Sequence, residues 1–254
     1  MAKIDRLSAL MSRFKLSVSP CEVGQANFVV SGQSGTPGPE AIWFSPAGHA
    51  AAASGDPAAV LLSAHVDWGG PENPLLAALP PVISYPVRQD PEMQALAQLL
   101  VTEKQVARCG SASVLNRLGE VLIVRLMRAQ IEAGAMQRGL LAGLADTRLS
   151  RAMVAIHERP GDPWRVETLA VEAGMSVSRF SELFRNAVGD PPLAYLRKWR
   201  LILAKQDIER GDRIQRVASR YCYGSTEALS RAISGAYGTS PLQIRKAALN
   251  RKAA

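Results

Sequence analysis

Eleven side chains in the C-terminal part of the chain fall into two sets whose types and spacing suit contact with a polyanion: Ser176, Ser178, Arg179, Ser181, Glu182 and Arg185, then Ser225, Thr226, Glu227, Ser230 and Arg231. Hydroxyl groups, and the free N–H groups of a helix start at Ser176 and at Ser225, suit phosphate oxygens and fix register without reading sequence. Base discrimination needs forked or directional groups. Arg179 or Arg231 can pair with guanine O6 and N7 in bidentate fashion, and Glu182 or Glu227 can accept from a cytosine N4 amine, each good pair contributing ~1 to 3 kcal/mol of discrimination. The alternative for either glutamate is a surface ion pair with a nearby arginine, which is common and weak.

Other chemistry is poorly provided for. His49, His65 and His157 are the only histidines, and no Asp or Glu joins them in a short ligand spacing. A catalytic metal site typically takes three or more protein ligands with imidazole prominent, so neither a metal nor another cofactor is expected. Cys21, Cys109 and Cys222 are odd in number and lack a CxxC pair, which fits neither a disulfide framework nor zinc and suits a reducing, cytoplasmic setting. A redox role for Cys21 or Cys109 would need a basic, exposed environment. Trp43 and Trp68 read as packing residues. No run of apolar residues is long enough to span a bilayer, and the start lacks the apolar core of a secretory signal, so no membrane partner is expected.

The two sets belong to a repeat. A shift of 49 residues aligns Ser176 with Ser225, Phe180 with Leu229, Ser181 with Ser230, Phe184 with Ile233, Gly189 with Gly238 and Pro192 with Pro241. In the first copy, residues 166–173 form a helical pattern, Gly174-Met175-Ser176 a turn, and residues 177–188 a second helical pattern. Val177, Phe180, Leu183, Phe184 and Val188 are assigned inward in that second helix. Glycine suits the turn because it takes a positive φ without a Cβ clash. The second copy reads helix 214–220, turn 221–224 and helix 225–237, with Leu229, Ala232, Ile233 and Tyr237 inward. A helix, a short turn and a second helix is the arrangement that lays the second helix into a DNA major groove. Residues 192–208 link the copies as one helix about 25 Å long at 1.5 Å per residue, able to hold two reading heads near one turn of DNA apart, about 34 Å.

Charge supports that reading. Residues 1–147 hold 11 Lys and Arg against 12 Asp and Glu, whereas residues 148–254 hold 19 against 10. An excess of that size on helical segments is the footprint of a nucleic-acid binder.

Trp164-Arg-Val-Glu-Thr-Leu-Ala, Ala173-Gly-Met-Ser-Val-Ser-Arg-Phe, Phe184 to Leu196, Trp199-Arg-Leu and Tyr237-Gly-Thr-Ser-Pro-Leu together resemble the DNA-binding domain of the AraC/XylS family over residues 148–247. The resemblance implies a module whose two second helices enter successive major grooves, with Ser178, Ser181, Glu182, Thr226, Glu227, Ser230 and Arg231 facing bases. Cys222 and Tyr223 stand where the family usually has Gly and an aromatic, and the segment from Ile233 to Ala236 is poorer in basic residues than is usual, which implies weaker or less sequence-specific contact by the second unit. RNA polymerase is an implied partner, as for an activator.

The first half reads differently. Residues 4–16 suggest a short amphipathic helix. Residues 26–30, 41–44 and 59–66 read as strands separated by clusters such as Ser31 to Pro39, and helices follow from Asp90 to about Arg108 and, capped by Ser111, to about Ala133. Val114, Leu115, Leu118, Val121, Leu122, Leu126 and Ile131 form a stripe that either covers the sheet or pairs with a second copy of the chain. A short helix follows around Leu140 to Leu144. The resemblance implies that this half is a cupin-like sensing and dimerisation domain, shortened because about 85 residues precede its helices. The expected architecture is α+β: a small, mostly antiparallel β domain with helices over 1–146, then an all-α double helix-turn-helix domain over 147–254. The expected function is a non-enzymatic, sequence-specific regulator that binds promoter DNA as a homodimer joined within residues 90–133, under a small-molecule effector. An effector-independent regulator and a metal-binding cupin enzyme fused to a DNA-binding module are the alternatives.

Overall fold

The computed structural model describes residues 5–33, 36–46, 48, 50, 57–70, 73–134 and 138–253; His49 and Ile4 lie outside them. In chain order the elements are α1 (Ser8–Met11), β1 (Leu16–Pro20), β2 (Phe28–Gln33), β3 (Thr36–Phe44), β4 (Val60–Trp68), α2 (Pro74–Ala77), β5 (Ile83–Pro86), α3 (Pro91–Val106), α4 (Ser111–Ala133) and α5 (Leu140–Ala145). They continue through α6 (Leu149–Glu158), α7 (Val166–Ala173), α8 (Val177–Val188), α9 (Pro192–Arg210), α10 (Ile214–Arg220), α11 (Thr226–Tyr237) and α12 (Pro241–Ala253). Two units emerge, one of residues 14–142 and one of residues 5–13 with 143–253.

The first unit is built on one five-stranded sheet, order β1-β4-β2-β3-β5, with every neighbour antiparallel. Register places Val18 opposite Val66, Phe28 opposite Ala64 and Phe44, and Ile83 opposite Phe44. Because side chains alternate along a strand, these residues share one buried face, against which α3 and α4 pack. Asp90 caps α3, its carboxylate accepting from the N–H groups of Glu92 and Met93; those bonds hold it below the usual carboxylate range. Trp68 is buried in this core, and half-buried Trp43 donates its Nε1–H to Ser31 Oγ.

Several expectations need correction. The helix expected over 4–16 is confined to Ser8–Met11, and Leu16–Pro20 is a strand whose alternating Leu16 and Val18 complete the sheet. The Gly and Pro cluster up to Pro39 does not keep the chain out of the sheet, because β3 starts at Thr36. Pro39 lies between Thr36 and Ala41, where the β2–β3 register shifts, an irregularity of the kind at which a strand tolerates proline. Ser111 does not cap α4; Gly110 occupies that position, and the Ser111 hydroxyl donates to the Glu103 carbonyl. In the apolar stripe of α4, Leu115, Leu122, Leu126 and Ile131 are buried and Leu118 half-buried, whereas Val114 and Val121 are exposed.

Residues 5–13, read from sequence as part of the N-terminal domain, cluster with the C-terminal unit. There Leu7 and Leu10 are buried, and Arg6 donates to the carbonyl oxygens of Leu144 and Ala145. This unit is all helical. Its central element, α9, buries Tyr195, Leu196, Trp199, Leu201, Leu203 and Ile208, positions that run around the helix instead of along one stripe, as a helix enclosed by neighbours requires.

Candidate nucleic-acid interface

Each helix pair is set by its caps. At the end of α7, Gly174 (φ +64°) closes the helix: its N–H donates to the Val171 carbonyl and the Met175 N–H to the Ala170 carbonyl. This is the left-handed ending in which two orphan carbonyls find donors. Ser176 Oγ then accepts from the Arg179 N–H and starts α8. The second unit repeats the device: the Cys222 N–H donates to Ser219, the Tyr223 N–H to Ala218, and Ser225 Oγ accepts from Ala228 to start α11. Equivalent bonds place Cys222 (φ +60°) where Gly174 stands. The offset between copies is therefore 48 residues at the turn and 49 in the second helix, so Gly224 is the extra turn residue.

On α8, Phe180, Phe184 and Val188 are buried and Leu183 is half-buried; Val177, expected inward, is exposed because it occupies the first turn, beyond the packed rings. Ser176, Ser178, Arg179, Glu182 and Arg185 are exposed and Ser181 half-buried. On α11, Leu229 and Ile233 are buried and Ala232 and Tyr237 half-buried, with Ser225, Glu227 and Arg231 exposed and Thr226 and Ser230 half-buried. Both second helices thus present a polar outer face.

Neighbouring charges already engage part of these faces. Arg179 Nη1 lies 3.0 Å from Glu182 Oε2, an ion pair with both side chains more than half exposed. Pairs of that kind contribute ~0 to 1 kcal/mol, so Arg179 can exchange its partner at little cost. Glu227 is held differently: its own backbone N–H and the hydroxyls of Ser225 and Thr226 hold its carboxylate below the ordinary range, with Thr226 Oγ1 donating at 2.9 Å.

The scaffold beneath the two faces was not read from sequence. His157 on α6 is buried, its Nε2 2.6 Å from Tyr195 Oη on α9 and its ring 4.9 Å from that of Trp199. Tyr195 in turn meets Phe184 of α8 edge-on at 5.7 Å. Burial drives the His157 pKa down to about 3 and raises that of Tyr195. At the other end of α9, buried Asp207 accepts from the Tyr221 hydroxyl at 2.7 Å and pairs with Arg220, which also donates to Asp212 at 2.7 Å. The loop before α7 is tied in as well, since Arg200 of α9 donates to the carbonyls of Pro160 and Asp162, and the Gly161 backbone lies so close to the Arg220 carbonyl that no Cβ fits between them.

Comparison with known proteins agrees with this geometry. Residues 169–247 match the family model described as "Helix-turn-helix domain", and residues 21–132 that described as "Cupin". The chain is 34% identical over 179 residues to the "HTH-type transcriptional regulator AlkR" of Acinetobacter baylyi, and 32% identical over 176 residues to a "Putative AraC-like transcription regulator" of Streptomyces lividans. Each alignment covers 68% of this chain and 58% of the relative. The chain belongs to the AraC family. It spans 58% of the length of these curated relatives. Among solved structures, the DNA-binding domain of AdpA in complex with a target DNA is 31% identical, covering 42% of this chain and 96% of that one, with a TM-score of 0.39.

The N-terminal unit of this AraC-family chain carries a single sheet with a cupin match. An open hollow of about 540 Å³ there is lined by Gln25, Asn27, His65, Asp67, Trp68 and Leu76, among others. Exposed His65 stands in β4, His157 is a buried structural group in the other unit, and among the described residues no three His, Cys, Asp or Glu side chains are grouped to hold a metal ion. Cys109 and Cys222 are exposed, and burial and Glu22 raise the Cys21 thiol pKa. No described helix is long and apolar enough to cross a membrane.

Proposed function

We propose that this chain is a transcription regulator that binds a bipartite site on duplex DNA by placing α8 and α11 in major grooves. The observation that carries the reading is the pair of serine-capped helices, each with a buried apolar side and a polar outer side, joined by one continuous helix. Ser176 and Ser225 with the adjoining N–H groups take phosphates. Arg179, Glu182, Glu227 and Arg231 face base edges, and Ser178, Ser181, Arg185, Thr226 and Ser230 complete the two contact faces. Domains divide near residue 146, the first serving dimerisation and small-molecule sensing and the second DNA binding. Leu99, Val106, Val114 and Val121, exposed on α3 and α4, support a homodimer through those helices. RNA polymerase is the further partner, the cytoplasm the setting, and the role is not enzymatic.

Selection of bound fragments from random duplexes with the full chain tests this reading. A two-block motif is expected, with affinity falling against salt at a log–log slope near −0.9 per neutralised phosphate. Arg179→Ala or Arg231→Ala should relax preference at one base pair. Absence of any motif and of duplex binding in dilute buffer would overturn the proposal.

A further inference from the structure

A buried hydrogen bond joins α6 to α9, and the tyrosine that makes it also packs against α8. His157 lies in α6, 1% exposed, and Tyr195 lies in α9, 8% exposed. Their 2.6 Å contact is the polar one in a cluster otherwise made of rings: Trp199 against His157 at 4.9 Å, Phe184 against Tyr195 at 5.7 Å and Phe180 against Phe184 at 5.5 Å. Phe180 and Phe184 sit on the inner side of α8, and Arg179, Glu182 and Arg185 on its outer side. Ring packing alone tolerates sliding, because dispersion and burial are non-directional. A hydrogen bond fixes a distance and an angle. The Tyr195 hydroxyl is fastened to α6 while its ring carries Phe184, so rotation of α8 about its own axis would have to break that bond or open the ring contact.

We propose that the His157–Tyr195 bond is a positioning contact that sets the rotation of α8 on α9, and thereby which bases the first unit prefers. The inference rests on the DNA-binding reading above. It concerns one unit only, since α11 meets α9 through other residues, with Lys205 Nζ of α9 lying 5.2 Å from the centre of the Tyr237 ring of α11. The bond removes no contact with DNA when lost; it alters the angle at which the existing contacts arrive. An error of about 1 Å at a bidentate arginine weakens discrimination more than overall attraction, because phosphate attraction is long-ranged and base pairing is not.

The test uses the full chain in Tyr195→Phe, which deletes one oxygen, in His157→Phe, and in the double variant, where two apolar rings leave no buried polar group unmatched. Base preference is read by fragment selection, and melting temperature is recorded beside it. The two blocks of the motif are assigned by the positions that Arg179→Ala and Arg231→Ala relax. Each variant is expected to flatten preference in the α8 block by about threefold or more, the size of one lost buried hydrogen bond, with the α11 block held within about twofold and the double variant no flatter than the stronger single one. A role in stability alone would lower melting temperature and leave both blocks' relative preferences in place, and that result overturns the proposal, as does equal flattening of the two blocks. If the single variants melt below the assay temperature, the double variant decides by the same criterion. A wild-type chain without a two-block motif overturns the DNA-binding reading and this inference with it, whereas an intact wild-type motif with unaltered variants overturns this inference alone.

Discussion

The first half of α9 holds its reading unit with rings, and the second half holds the other with a carboxylate. Around Tyr195 and Trp199 the contacts are His157, Phe184 and, behind it, Phe180. Around Asp207 they are Arg220, Tyr221 and Arg210. Outlines are shared: a left-handed helix ending, a serine cap and a second helix of 12 residues in each unit. The ring cluster is insensitive to salt and almost free of charge, while the carboxylate anchor takes its strength from desolvated charge and loses it when one partner is removed. Duplicated units can therefore keep a common reading geometry and diverge in what would loosen them.

Breaking the second anchor should have the largest effect. Asp207→Ala leaves the buried Tyr221 hydroxyl without its acceptor and frees Arg220 from one of two carboxylates. A loss of about 2 to 3 kcal/mol is expected, below the ~3 to 5 typical of a fully buried pair, because Arg220 is half exposed and keeps Asp212. Denaturant unfolding measures it, and a loss under about 0.5 kcal/mol would mean that the network is ornamental.

The first anchor should respond to mild acid. His157 folds in the neutral form with a pKa near 3, whereas its unfolded value is 6.5. Between these values the unfolded chain binds the additional proton, so the contribution is fully present above about pH 6.5 and declines as pH falls, with a limiting slope of about 1.4 kcal/mol per pH unit. Melting curves at pH 7.5 and 5.5 should differ more for the native chain than for His157→Phe. Equal slopes in the two would show that the histidine is not desolvated in the folded state.

What could be seen in the sequence follows from how local each feature is. The serine caps and the helices α8 and α11 announce themselves within a dozen residues, through Gly, Ser and a repeating apolar spacing. The Asp207 anchor does not, because its partners Arg220 and Tyr221 lie 13 and 14 residues away on another helix. An acidic residue at helical spacing from Leu203, Ala204 and Ile208, on the buried side of the central helix, was the available signal. His157 similarly reads as an ordinary helix residue until Tyr195, 38 residues later, is brought against it. In the N-terminal unit the strands with runs of Val, Ile and Phe were legible. By contrast, β1 followed a helix-like spacing from Leu7 to Phe14 that masked its alternation, and β5, four residues long, offers too few positions for any period. The 49-residue alignment, which matches α8 with α11, assigns Gly174 to Tyr223, and the offset of one residue between the turns was signalled only by the family resemblance, which sets Cys222 where Gly is usual.

That offset sets up the smallest and most specific prediction. Gly174 and Cys222 end α7 and α10 with the same pair of backbone bonds and nearly the same φ, +64° and +60°. Glycine adopts this region freely, whereas an L-residue with a Cβ is strained there by roughly 1 to 2 kcal/mol. Cys222 is exposed, so its side chain contributes little burial to offset the strain. Cys222→Gly should therefore stabilise the second unit, by about 0.5 to 1 kcal/mol once the greater unfolded-state freedom of glycine is subtracted. Gly174→Ala should destabilise the first unit by a similar amount, since no Cβ neighbour nearer than an arginine terminus at 3.9 Å obstructs it and the cost is conformational. Opposite signs at the two positions, read from thermal melts of the full chain, would establish that the units share their turn geometry. The same sign at both would mean that the cysteine is held by contacts glycine cannot supply, and that the second turn has ceased to be a copy of the first.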